Sequence, residues 1–150
     1  MAMRLLIESD VLLDFIGERP STAAAWNKLH ALELTGAAEL WVTADAFAEV
    51  REALLGTLSD HDIRSALRSS LAFLSVCSVD GSDIRFALDR EMLPLASAIT
   101  ESCARKIQAD FIVTGRGPID IARPVRRVAP DELFSVLESE QGLVFDVIDL

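Results

Sequence analysis

The chain contains no apolar run near the ~18 residues that cross a bilayer. Its first residues lack the basic and apolar regions of a secretory leader. A cytoplasmic protein with no membrane partner is the expectation. Cysteine is scarce: Cys77 and Cys103 are the two present, far apart in the chain and in apolar surroundings. That pattern predicts buried thiols in a reducing compartment rather than a disulfide or a metal pair. No internal repeat, low-complexity tract or linker divides the chain, so residues 1–150 are expected to form a single domain. Positive charge is also short, with 14 basic residues against 24 acidic ones and a net charge of −10. This argues against non-specific nucleic-acid binding by the whole surface. The bases that exist are gathered: Arg105, Lys106, Arg116, Arg123, Arg126 and Arg127 lie between Ala104 and Val128, against Asp110 and Asp120. From Pro130 to Leu150 there is no base at all. Such asymmetry allows one local anionic contact.

Hydrophobic residues make up 51% of the chain, enough for a sizeable core without staples. Met3 to Ile7 is apolar but for Arg4, as a strand buried on both faces reads. Glu8 and Asp10 follow, then Val11-Leu12-Leu13. This predicts a helix capped by Ser9 or Asp10. Two carboxylates therefore stand where a central strand ends and a helix begins, the edge at which open parallel sheets bind ligands.

The remainder alternates in kind. A helix is predicted from Ser21 to about Leu34, closed by Thr35-Gly36, and a strand over Glu39–Thr43. A helix over Ala44–Leu58 carries the stripe Phe47, Val50, Leu54, and another, capped by Ser59-Asp60, reaches about Phe73. Leu74–Val79 reads as a strand. Ser82 to about Glu91 and Pro94–Ile107 read as helices, Ala109–Thr114 and Val125–Val128 as strands, and Pro130 opens a last helix. Gly142–Leu150 reads as an extra strand, at an edge or paired with another chain. Strands alternating with helices imply a parallel sheet covered on both faces.

At the carboxyl ends of these strands lie Glu8, then Asp45 and Glu49 in the first turns of the helix after the second strand, and Arg116 after the fourth. Ala46 and Ala53 flank Glu49 at helical spacing and leave room for its carboxylate to reach a shared pocket. Clustered carboxylates repel unless a cation neutralises them, and Mg²⁺ or Mn²⁺ suits an all-oxygen site.

Glu8-Ser9-Asp10-Val11-Leu12-Leu13-Asp14-Phe15, then Val42-Thr43 through Glu49-Val50, Gln108 through Thr114 and Pro124 through Phe134 together resemble the PIN domain family, the fold of VapC-type toxin ribonucleases. The resemblance runs from Met3 to Leu137. It implies a three-layer α/β/α sandwich whose central parallel sheet of four to five strands is ordered 3-2-1-4-5. It also implies catalytic acids at Glu8, where the family has Asp, and at Glu49. The family's third and fourth acidic positions fall on Ser97 and Arg116. Candidate metal ligands are Glu8, Asp10, Glu49 and, one helical turn from Ser97, Glu101; the metal implied is Mg²⁺ or Mn²⁺. Arg116, Arg123 and Arg126 are candidates for nucleic-acid contact.

With two family acids replaced, the expectation is a degraded metal site with weak or no nuclease activity and a role in binding RNA or a protein partner. Arg116 is expected to take the cation's place and pair with Glu8 or Glu49. The alternatives are an active Mg²⁺- or Mn²⁺-dependent toxin endoribonuclease paired with an antitoxin, and an assembly module working through the acidic tail. A homodimer is the expected oligomer.

Overall fold

The computed structural model describes residues 2–17, 23–115 and 125–142. In chain order they form β1 (Met3–Ile7), α1 (Ser9–Ile16), α2 (Ala23–Leu34), β2 (Ala38–Thr43), α3 (Ala46–Leu54), α4 (Asp60–Ser70), β3 (Leu74–Cys77), α5 (Gly81–Leu88), α6 (Leu95–Lys106), β4 (Phe111–Val113), β5 (Arg126–Val128) and α7 (Pro130–Gln141). The five strands make one parallel sheet in the order β3-β2-β1-β4-β5, as the resemblance implies.

Strand β1 is central because its apolar run fills both faces. Leu5 and Ile7 face a core built with α1, α2, α3, α4 and α7. Leu6 faces the opposite core, with Ala87 of α5 and Ala98, Ile99, Cys103 and Ala104 of α6. Leu5, Leu6 and Ile7 are each no more than 1% exposed, and burying side chains of this size is worth about 1.5–3 kcal/mol apiece. The register sets Ile7 beside Val113 of β4 and Leu6 beside Trp41 of β2. The strand order reverses between β1 and β4, so the crevice at their carboxyl ends is the topological switch point where ligands bind.

Some boundaries differ from the sequence reading. The helix expected over 44–58 ends at Leu54, because Leu55 is extended and Gly56 has a φ of 96°, outside the helical region. The expected cap of α1 is corrected: neither Ser9 nor Asp10 caps it. Glu8 holds the N-cap position with φ −73° and ψ 159°, and makes no side-chain cap bond. Its N–H bonds to the Val113 carbonyl at 2.9 Å, so the sheet ladder, not a capping side chain, fixes where α1 starts. Ser59 does cap α4, accepting from the Asp62 N–H at 3.1 Å. The predicted strand in 142–150 lies outside the described residues apart from Gly142. The two cysteines are buried free thiols, and both Sγ atoms point at the Ser78 carbonyl, at 3.5 and 3.9 Å. Among the described residues no helix is long and apolar enough to cross a membrane.

Candidate functional site

Glu8 closes β1 and is 7% exposed. Period two along the strand carries its side chain to the Leu6 side, toward α6. There both carboxylate oxygens are engaged. Oε2 accepts from the Thr114 hydroxyl at 3.0 Å, and Oε1 accepts from Nη1 of Arg127. Nη2 of the same guanidinium donates to the Ser97 carbonyl at 2.9 Å. Arg127 reaches this point because β5 pairs it with Ile112, whose side chain belongs to the α6-side core. Its neighbour Arg126 consequently faces out. The Arg127 side chain is 3% exposed, and its Nε is buried with no hydrogen-bond partner among the described residues.

Four elements therefore meet on one charged pair: the end of β1, the end of β4, the first turn of α6 and β5. Arg127 is the site residue that the sequence reading passed over. The available signal was the short apolar frame Val125 and Val128 around two arginines. In a three-residue strand, one of two successive side chains must face inward.

Glu49 lies in the first turn of α3 and is exposed. It nevertheless borders the same small cavity as Glu8, together with Thr43, Asp45, Ser97 and Thr100. The cavity measures about 10 Å³, the room of one water molecule. Glu8 and Glu49 are thus gathered at one rim of the sheet, 41 positions apart in the chain. Ser97 is 2% exposed and lines the same space. Asp45 Oδ1 is buried with no hydrogen-bond partner among the described residues.

Asp10 serves a different end. Its Oδ2 accepts from the Gly115 N–H at 3.0 Å and its Oδ1 from the Val11 N–H at 2.8 Å. It clasps the chain leaving β4 to the start of α1. The approach is so close that a Cβ on Gly115 would stand 2.9 Å from Asp10 Oδ2. Glu101 is buried in α6, 1% exposed, and does not border the cavity shared by Glu8 and Glu49. Arg116 and Arg123 lie outside the described residues. Arg126 is exposed on β5, with Nη1 3.7 Å from Glu140 Oε1 of α7 and its guanidinium 6.0 Å from the Phe111 ring centroid.

The donor atoms of the described residues do not suit the divalent metal that the resemblance implies. A hard cation needs carboxylate oxygens free to converge on it. Here both Glu8 oxygens already accept from Arg127 and Thr114, and both Asp10 oxygens accept backbone N–H groups. Among the described residues, no group of three or more His, Cys, Asp or Glu side chains is arranged to hold a metal ion. Among the described residues, the rim offers an acid ion-paired to a guanidinium beside a small polar cavity.

Comparison with known proteins adds a lineage to this geometry. A family model described as "PIN domain" matches residues 4–115. The fold is similar to that of VapBC2 from Rickettsia felis, solved bound to a DNA fragment from its promoter, with a TM-score of 0.67 at 12% identity over 85% of this chain and 98% of that one. It is similar to a toxin-antitoxin complex from Klebsiella pneumoniae, with a TM-score of 0.60 at 18% identity over 84% and 97% of the two chains. It is similar also to VapC20 of Mycobacterium tuberculosis, a toxin that cleaves the sarcin-ricin loop, with a TM-score of 0.61 at 12% identity over 80% and 99%. At these identities the likeness is one of fold. No curated protein matches in sequence.

Proposed function

The chain belongs to the PIN domain family, and from that membership we propose a VapC-like protein with a degraded metal site and weak or no nuclease activity, which acts by binding a protein partner of antitoxin type. The observation that carries this reading is the engagement of Glu8. The acid at the family's first catalytic position spends both oxygens on Arg127 and Thr114. Water activation by a metal needs that carboxylate as a ligand. Ser97, at a position where the family has an acid, offers a hydroxyl and a carbonyl, and the carbonyl is already taken by Arg127. The antitoxin-type partner is supported by the company the fold keeps, two of its structural neighbours being toxin-antitoxin assemblies. A net charge of −10 favours a protein partner over RNA. On this reading the protein is cytoplasmic and forms a homodimer.

Calorimetric titration with Mn²⁺, run beside a cleavage assay on a fluorescent RNA, tests the reading. The expected result is no saturable heat and no metal-dependent cleavage. Saturable Mn²⁺ binding that disappears in Glu49→Ala, accompanied by cleavage, would instead establish an active metal-dependent toxin ribonuclease.

A further inference from the structure

The geometry points to Arg127 as the resident cation of this rim: its guanidinium takes the charge-neutralising place that a divalent ion holds in an intact acidic cluster. This deepens the reading above and rests on it.

Three acids, Glu8, Asp45 and Glu49, border one cavity the size of a water molecule. Carboxylates so gathered repel one another unless a positive charge is near. Among the described residues, the positive charge paired with Glu8 is that of Arg127. It enters from β5, on the far side of β4 from β1, and crosses to Glu8 with a side chain that is 3% exposed. Its second contact is informative. Nη2 bonds to the carbonyl of Ser97, the α6 residue that lines the cavity where the family has an acid. A side-chain acid is absent there, and the backbone oxygen of the same residue serves the guanidinium.

A purely structural role would not call for a charge. A buried ion pair gives back in attraction roughly what desolvation takes, and an apolar pair of similar volume is often as stable. Arg127 also leaves Nε buried without a hydrogen-bond partner among the described residues. What the pair secures is a fixed positive charge beside the acids. Arginine stays cationic at every physiological pH and, unlike a metal ion, cannot leave.

The consequence is a reciprocal metal dependence. The wild-type protein has no use for a divalent ion, whereas a chain stripped of the guanidinium acquires one. The test is thermal unfolding of the wild type, Arg127→Met and the double variant Glu8→Gln/Arg127→Met, each in millimolar MnCl₂ and in NaCl of matched ionic strength. The wild-type Tm should be the same in both salts. R127M should melt lower than the wild type in NaCl and recover a saturable part of the loss in MnCl₂. The double variant should melt above R127M in NaCl and ignore Mn²⁺. If R127M does not fold in NaCl, the same question is put to its circular dichroism: native signal regained in MnCl₂ supports the assignment, and none regained overturns it. A folded R127M indifferent to Mn²⁺, or a wild type that shifts as much as R127M, also overturns it. The two readings part cleanly. RNA cleavage by the wild type removes the functional reading whatever R127M does, and a Mn²⁺-indifferent R127M removes this one whatever the wild type does to RNA.

Discussion

Glu8 and Arg127, 119 residues apart in the chain, form a buried ion pair whose side chains are 6% and 3% exposed. The guanidinium serves two acceptors at once, the Glu8 carboxylate and the Ser97 carbonyl, and only a planar fork reaches both. A lysine ammonium is a point charge on a flexible stem. Arg127→Lys should therefore keep the charge and lose one charge-assisted hydrogen bond, a cost of about 1.5–3 kcal/mol. Urea denaturation reads this directly. An unchanged midpoint would mean that the Ser97 contact contributes nothing.

Gly115 is needed for its lack of a side chain rather than for an unusual backbone angle. A Cβ there would meet Asp10 Oδ2 at 2.9 Å while the N–H of Gly115 itself bonds to the same oxygen. Gly115→Ala should push the carboxylate away, break that bond and destabilise the fold by about 1–2 kcal/mol. The loss depends on Asp10, so in an Asp10→Ala background the further cost of Gly115→Ala should be close to zero. A double-mutant cycle measures the coupling, and additive losses would refute the clasp.

How far the fold was readable follows from which forces set each part. The β1 run and the alternation of strands and helices gave the parallel sheet, because burial on both faces leaves a continuous apolar signature. Helix ends were read less well. Gly56 stops α3 four residues before the expected Leu58, and Glu8 heads α1 through the sheet ladder, which no local pattern reveals. The rim acids Glu8 and Glu49 were legible from their places after strands. The arginine that pairs with Glu8 was not. Arg127 sits in a three-residue strand, too short to display alternation, and its partner is 119 residues away. The resemblance pointed to Arg116, at the family's fourth acidic position, which lies outside the described residues; among the described residues it is Arg127 that tertiary pairing places beside Glu8.

Helices α2 and α6 end in the same motif with different residues at the turn. After α2, the Ala37 N–H bonds to the Leu32 carbonyl at 2.9 Å and Gly36 has φ 76°. After α6, the Ala109 N–H bonds to the Ala104 carbonyl at 2.8 Å and Gln108 has φ 57°. A side chain in the left-handed region costs of order 1 kcal/mol that glycine avoids. Gln108→Gly should accordingly stabilise the protein by about 0.5–1 kcal/mol, and Gly36→Ala should destabilise it by about as much. Opposite shifts of the two thermal midpoints confirm the shared motif; a destabilised Gln108→Gly would mean that the glutamine side chain contributes more than the strain costs.

Acid should unfold the protein partly through the start of α5. The Asp80 carboxylate accepts from the Ser82 hydroxyl at 2.6 Å and from the N–H groups of Ser82 and Asp83 at 2.9 and 3.3 Å. The hydroxyl bond first, then the two backbone bonds, hold its pKa at about 2, below the ordinary 3.8. Burial alone would raise the neighbouring Asp83, but bonds from Lys106, the Asp80 N–H and Ser102 outweigh it and leave that carboxyl lowered as well. A carboxylate that binds protons less readily when folded stabilises the fold above its unfolded pKa, and the gain is lost as pH falls through the folded value. The contribution of Asp80 should thus be complete at neutral pH and drain away between about 3.8 and about 2. Asn also caps helices well, so Asp80→Asn removes the titration while keeping the cap. The wild type should melt higher than Asp80→Asn at neutral pH, and the gap should close as the pH approaches 2. A gap that stayed constant down the acid range would assign the stabilisation to the cap's geometry and not to its charge.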